Sequence, residues 1–384
     1  MRFETIARTD SRWPIVAIIM VGAALLQAVQ FTTVSWDMMA HLLPWMAHIR
    51  AEGPIGAFAE PFANYAPPYL YLLSAFSLLP IPDWVAIKLL SSLGVSLVAL
   101  SSYQLLRASQ AERPIEGAAW LMVAPTVAVN AGIMSQADAL WVAPCLMAVA
   151  SAQRGRMLQL CAWSGLAFAV KAQAAFFAPF VVATLLTHKA PWRYWLLPAL
   201  IYLAAITPAW LAGWPASDLL TIYLRQAQWV PEAAPDFLGN AANWVAPLQY
   251  AFPKVLSSIP AWPATVLGAL MAFALVAAFG RERLAPRQMP AVAALSAILI
   301  PFILPLMHER FMILGDVLTL CYAWTVRTRR SVAVAALMQF GSFAAIYDYY
   351  WVQTSAVATA GSVAVLAAIV LLIQELRERK VTAV

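Results

Sequence analysis

The chain has 384 residues, of which 63% are hydrophobic and 11% charged, against roughly 25% charged in an ordinary soluble domain. A water-soluble globule is excluded; at about 20 apolar residues per crossing, residues 1–384 hold about a dozen spans as one membrane-embedded, all-α polytopic unit. The net charge of +6 puts no basic cluster on a soluble module, so no nucleic-acid partner is expected.

The first apolar run, Pro14 to Val34, follows a leader with Arg2, Arg8 and Arg12 and ends in FTTVSWD, without a small-residue cleavage pattern. It reads as a retained anchor with a cytoplasmic N-terminus. Residues 35–82 form the first outside loop. Within it, Asp37 opens a helical repeat of Met38, Leu42, Trp45, Met46 and Ile49 that would lie along the lipid surface. Pro67 to Leu79, about 13 residues, suits a second interfacial or re-entrant helix better than a crossing; were it to cross, Arg107 and Arg113 would face outside. Further spans are expected over about 84–106, 115–131, 138–152, 158–170, 174–186 and 195–211. A long outside loop, 212–246, precedes spans near 258–279, 291–306, 311–324, 332–346 and 355–373. This alternation puts all of the 24 Lys and Arg inside except Arg50, Lys88, Lys171, Arg225, Lys254 and Arg310, which supports about twelve spans with both termini cytoplasmic. Cys145, Cys161 and Cys321 lie in apolar runs with no disulfide or metal-ligand spacing.

In a chain so poor in charge, an ionisable group at or below the membrane surface marks function by default. The outside face collects Asp37, Asn64, Tyr65, Gln136, Asp138, Lys171, Gln173, Asn240, Asn243 and the triplet His308, Glu309, Arg310. Asp37 is either a carboxylate fixed beside a substrate that protrudes from the bilayer or the N-cap of its helix, and the two roles are compatible. The segment NYAPPYLYLL, Asn64 to Leu73, joins a Pro-Pro helix start to tyrosines suited to an interfacial aromatic belt. Asp138, in SQAD, reads as a second outside carboxylate or a helix cap. Lys171 breaks an apolar stretch where two short helices meet, and reads as a phosphate contact or a snorkelling lysine. Arg310 offers a planar fork to a phosphate, or a structural ion pair to Glu309.

Five ordered segments carry a resemblance. They are WD with PW downstream (Trp36, Asp37, Pro44, Trp45); NYAPPYLYLL with AIKLLS (Ala86 to Ser91); PTVAVNAGIMSQADALW (Pro125 to Trp141) with GLAFAVKAQAAFFAPF (Gly165 to Phe180); FLGNAANWVAPL (Phe237 to Leu248); and PFILPLMHERFMILGDVLTLCYAW (Pro301 to Trp324). From about Trp36 to Asp348 the chain resembles bacterial relatives of the second mannosyltransferase of GPI-anchor assembly, in the GT-C class of membrane glycosyltransferases. The resemblance implies a GT-C-type fold in a bacterial inner membrane. It also implies inverting transfer of a sugar, mannose first, from a polyprenyl-phosphate sugar donor to a lipid- or glycan-linked acceptor on the periplasmic side. Asp37 then takes the place of the catalytic acidic residue of the first outside loop. Met134 and Ser135 stand where the family pattern has Trp-Gly, with Gln136 and Asp138 kept; FLGNAAN keeps Asn240 and Asn243.

On this reading Asp37 is the base, and Lys171, His308 and Arg310 hold the donor phosphate. Asn64, Tyr65, Gln136, Asp138, Gln173, Asn240, Asn243 and Glu309 face sugar or acceptor. No cofactor is required; a divalent metal shared by Asp37 and Asp138 is compatible with the sequence, which does not demand it. Competing readings are the same reaction with glucose or an aminoarabinose-like sugar, a transporter or flippase of lipid-linked saccharides, and a scaffold whose polar groups line a lipid-filled groove.

Overall fold

The computed structural model describes residues 13–228, 239–252 and 260–381. Among them the chain is helical, with no strand and one isolated parallel bridge between Gly239 and Met307. The first half builds α1 (Trp13–Gln30), α2 (Leu43–Glu52), α3 (Pro67–Ser77), α4 (Asp83–Ala108), α5 (Pro114–Met122), α6 (Pro125–Gly132), α7 (Asp138–Gln153), α8 (Met157–Val170) and α9 (Ala178–Thr187). The second half builds α10 (Trp192–Trp195), α11 (Leu197–Ala212), α12 (Ala216–Gln228), α13 (Val245–Ala251), α14 (Trp262–Phe279), α15 (Met289–Ile303), α16 (Ile313–Val326), α17 (Arg329–Tyr347) and α18 (Ala356–Val381).

Seven helical segments among the described residues are long and apolar enough to cross a membrane: Trp13–Gln30, Asp83–Ala108, Trp192–Ala212, Trp262–Phe279, Pro286–Ile303, Arg329–Val352 and Ala356–Glu378. Burial divides the helices into a centre and a shell. Nearly every residue of α7 and α15 is buried, whereas α14 buries only Gly268 and Leu275. Around the outside, α1 exposes Ile18, Leu25 and Val29, and α14 exposes Leu270 and Phe273. Apolar helices with satisfied backbones and bare apolar flanks suit a bilayer, where that surface carries no hydration penalty. The chain is an α-helical, multi-pass membrane protein.

Three expectations change. The run over 115–131 is two helices, broken at Val123 and Ala124; Pro125 opens α6 and holds Ala124 extended (ψ 130°), because a proline ring disfavours helical geometry in the residue before it. Within residues 35–82 the apolar positions of the helical repeat do not face lipid. Met38, Leu42, Trp45, Met46 and Ile49 are all buried, and α2 packs on α3 and α4. Periodicity marks an apolar stripe without saying whether protein or lipid covers it. The segment 212–246 is not a plain loop, since it contains α12, which turns Leu219 and Ile222 inward and Leu220 and Leu224 outward. Its residues 229–238 lie outside the described residues.

Two devices position the end of the bundle that carries Asp37. Buried Lys88 in α4 donates to the Gln30 carbonyl at 3.0 Å and to the Gly132 carbonyl, tying the C-terminal ends of α1 and α6 together. A cation there meets the partial negative charge of both helix ends. Residues 239–241 are tied to the end of α15: Asn240 and Ala241 donate their backbone N–H to the Met307 carbonyl at 3.0 and 3.1 Å. Gly239, at φ 108°, has no room for a side chain, because a Cβ would strike the Met307 backbone.

Candidate functional site

Asp37 follows α1 and opens a single wide π-turn, Met38–Leu42, before α2. Its carboxylate caps nothing. Ser35 performs that task, accepting from Met38 N at 3.2 Å and donating to the Met134 carbonyl at 3.1 Å. The Asp37 carboxylate is thereby released sideways. Its Oδ2 accepts from Gln136 Nε2 at 2.7 Å and lies 3.2 Å from Arg310 Nη1.

Gln136 reaches that position through a strained turn. Ser135 is left-handed, at φ 57°, and fully buried, a conformation that costs a non-glycine residue roughly 1–2 kcal/mol. Its hydroxyl has no partner among the described residues. Gln136 N–H then closes on the Asn130 carbonyl at 3.0 Å, and its Oε1 accepts from Tyr65 OH at 3.3 Å.

Asp138 is the first residue of α7 and completely buried. Its oxygens take side-chain donors: Lys171 Nζ at 2.7 Å and Trp141 Nε1 at 2.9 Å on Oδ1, and Asn130 Nδ2 at 3.0 Å on Oδ2. Lys171 is where the chain leaves α8, extended at φ −157°, before a short 3-10 turn, Ala172–Phe177. The helix break falls where the sequence placed it. The lysine does not snorkel: its side chain is 2% exposed and sits 5.1 Å from the Tyr65 ring centre.

Arg310 joins the two carboxylates. Its Nη1 lies 2.6 Å from Glu309 Oε1, and its Nε lies 3.8 Å from Asp138 Oδ2, too long for a hydrogen bond. The cluster thus holds three carboxylates, Asp37, Asp138 and Glu309, against Lys171 and Arg310. Burial lifts Glu309 above the usual carboxylate range; Arg310 opposes the lift and the Asp37 charge adds to it. Burial and then the charges of Arg310 and Lys171 push the His308 imidazole below its ordinary range, so it is neutral at pH 7. Arg310 spans the two aspartates that would otherwise share a cation. No group of three His, Cys, Asp or Glu side chains suited to a metal occurs among the described residues.

Several buried polar atoms around the cluster have no hydrogen-bond partner among the described residues: Arg310 Nε, Glu309 Oε2, Asn130 Oδ1, Gln173 Oε1 and Asn240 Oδ1. Such atoms cost free energy unless a ligand or water completes them. An aromatic row runs up to the site, from exposed Trp36 through His41 (5.8 Å) and Trp45 (5.9 Å) to Tyr65 (5.1 Å).

Of the residues singled out from sequence, Asp37, Tyr65, Gln136, Asp138, Lys171, Glu309 and Arg310 form one contiguous network. His308 flanks it, 3.9 Å from Glu309. Gln173 is buried in the 3-10 turn after Lys171. Asn64 is exposed and engaged through its carbonyl, which accepts from Gln226. Asn243 is spent on structure, donating to the Pro301 and Leu304 carbonyls and accepting from Val245 N. The tyrosines do not form a belt: Tyr69 is buried, and Tyr71 OH accepts from Ala209 N at 2.9 Å. Sequence reasoning missed Asn130 and Trp141, both donors to Asp138. Trp141 was findable as the i+3 neighbour on the same helical face. Compared with known proteins, the chain matches no family model and no curated sequence.

Proposed function

We propose that this protein is a GT-C-type membrane glycosyltransferase. It moves a sugar, mannose foremost, from a polyprenyl-phosphate donor to a lipid- or glycan-linked acceptor on the periplasmic face, with inversion. The observation that carries this reading is the asymmetry of Asp37. Its Oδ2 is fixed by Gln136 and Arg310, while Oδ1 has no partner among the described residues on a side chain that keeps 12% exposure. A carboxylate anchored at one oxygen and open at the other is arranged to accept a proton.

In the transfer, the acceptor oxygen attacks the anomeric carbon and its proton passes to Asp37 Oδ1. The bond from that carbon to the phosphate oxygen breaks, and its electron pair leaves on the polyprenyl phosphate. A phosphate leaving group needs no protonation near neutral pH, so one base with cationic contacts suffices. Arg310 Nε, buried without an acceptor, and Lys171, which makes one hydrogen bond, retain N–H groups for phosphate oxygens. Neutral His308 contributes a hydrogen bond rather than charge. Gln173 and Asn240 present oxygens without a partner among the described residues for sugar or acceptor hydroxyls.

Purified protein in nanodiscs, offered polyprenyl-phosphate mannose, glucose and aminoarabinose in turn, tests the reading. Release of polyprenyl phosphate with one donor, abolished in Asp37→Asn, is the expected result and names the sugar. Retained binding of lipid phosphate without release from any donor would shift the assignment to a lipid-linked saccharide transporter.

A further inference from the structure

The opposite end of the bundle holds a second recognition feature that the transfer reaction does not use. α7 runs for 16 residues from Asp138, placing its far end about 24 Å away at 1.5 Å per residue. There the turn between α7 and α8 meets the turn between α9 and α10 around a cleft of about 380 Å³, lined by Arg156, Leu158, Gln159, His188 and Tyr194 among others. Between Asp138 and Asp218 the sequence contains no carboxylate at all. Arg154, Arg156, Lys189 and Arg193 therefore lie on or beside these two turns with no acidic residue from either, and of the four Arg156 lines the cleft.

The cations are not neutralised elsewhere: none of the four takes part in an ion pair among the described residues. Arg154 is spent on the Gln104 carbonyl and side chain, and burial with the like charges of Arg156 and Arg107 pulls it below the usual guanidinium range. The backbone is also unrelaxed here, with Lys189 left-handed at φ 48°, a state that persists when something else gains from it. Leu158 in the lining is 50% exposed, and the helix ends that lead into the two turns carry further bare apolar side chains, Leu186 at 46%, Trp192 at 76% and Leu196 at 50%. A soluble anion would need the charges alone. The adjoining apolar surface fits a molecule that carries a phosphate and acyl chains together.

We propose that this cleft binds the headgroup of an anionic phospholipid, with the phosphodiester at Arg156, Gln159 and Tyr194 in the cleft, Lys189 and Arg193 adding positive charge from the positions next to its lining residues His188, Ala190 and Tyr194, and the acyl chains leaving along Leu158. The site stands apart from the sugar-transfer reading and survives its failure. Lipid-binding clefts of this kind combine basic side chains between helix ends with bare apolar flanks.

Native mass spectrometry of the full chain, with phosphatidylglycerol and phosphatidylcholine of matched acyl chains as probes, tests it. Wild-type protein is expected to retain phosphatidylglycerol preferentially, and inorganic phosphate at equal concentration should not displace it. Arg156→Gln alone is expected to weaken the preference roughly fivefold, and Arg156→Gln with Lys189→Gln and Arg193→Gln to abolish it. Arg281→Gln with Arg283→Gln and Arg287→Gln, an equal change of charge elsewhere, should leave it intact. The proposal is overturned by equal retention of both lipids, by displacement with phosphate, by an unaffected cleft variant, or by equal losses in the two triple variants.

Discussion

Two clusters of buried polar side chains sit within this apolar bundle, and they solve the same electrostatic problem differently. In the first, Asp37, Asp138 and Glu309 are held by Lys171, Arg310 and the amides of Gln136 and Asn130. Deeper in the bundle, Asp316 of α16 accepts from Ser342 Oγ of α17 at 2.8 Å, and Gln339 accepts from Thr126 N and Oγ1 at 3.4 and 3.2 Å. No cation lies within ion-pair distance of Asp316 among the described residues. The first cluster keeps opposite charges together; the second joins helices with hydroxyl and amide bonds, and both leave buried polar atoms without a partner among the described residues, Arg310 Nε and Glu309 Oε2 in the first, Asp316 Oδ2 and Gln339 Nε2 in the second. Charges inside a membrane are expensive, so retained, mutually compensated ones mark chemistry, whereas neutral hydrogen bonds mark assembly.

Substitutions can break this contrast. The largest effect is expected from Asp37→Asn, which should lower transfer about 100- to 10,000-fold while leaving the melting temperature in detergent nearly unchanged; an equal loss of fold would make Asp37 structural. Next, Lys171→Met strands a buried carboxylate and should destabilise the protein by about 3–5 kcal/mol. Adding Asp138→Leu should recover part of that loss, and thermal unfolding of the single and double variants measures the coupling.

Smaller changes sharpen it. Ser135→Gly relieves a left-handed serine and a partnerless buried hydroxyl, and should stabilise the protein by about 1 kcal/mol after the entropy of the added glycine is set against both gains. A fall in stability would mean that the Ser135 hydroxyl has a role. Asp316→Asn preserves shape and most hydrogen bonding, so its effect should stay within about 1 kcal/mol; a loss as large as that of Lys171→Met would erase the distinction between the clusters.

Acid should expose the first cluster too. The His308 pKa is lower in the folded chain than its ordinary value of 6.5. Below pH 6.5 the unfolded chain therefore binds more protons, and stability falls as the pH drops through that value. His308→Gln should flatten this slope in melting curves between pH 7 and pH 5; an unchanged slope would show that other groups govern it.

Much of the candidate site was legible because charge is rare in this chain. Asp37, Asp138, Lys171, Glu309 and Arg310 stood out against the apolar background, and all five meet. The Glu309–Arg310 ion pair was one of the two readings of that triplet and is present; what remained hidden was the rest of the pairing. Lys171, Arg310 and His308 read from sequence as a phosphate clamp, and the structure gives Lys171 to Asp138 and divides Arg310 among three carboxylates. Asn243 shows the converse limit, since an asparagine near a presumed site looks the same whether it faces a substrate or satisfies Pro301 and Leu304 at a helix end. Ser135 was visible only as a departure from a glycine pattern, and its positive φ shows why glycine suits that place.

The sequence by itself determined that the chain is a bundle of apolar helices, where most of them lie, and which end collects the unusual polar groups. Those conclusions depend on local properties: run length, hydropathy and the cost of charge in hydrocarbon. Tertiary structure alone decided that the Met38-to-Ile49 stripe is covered by protein, and that Asp37 has one oxygen bound and one without a partner among the described residues. Each of these turns on which surfaces and donors meet across tens of residues of chain, and no local pattern encodes the partner.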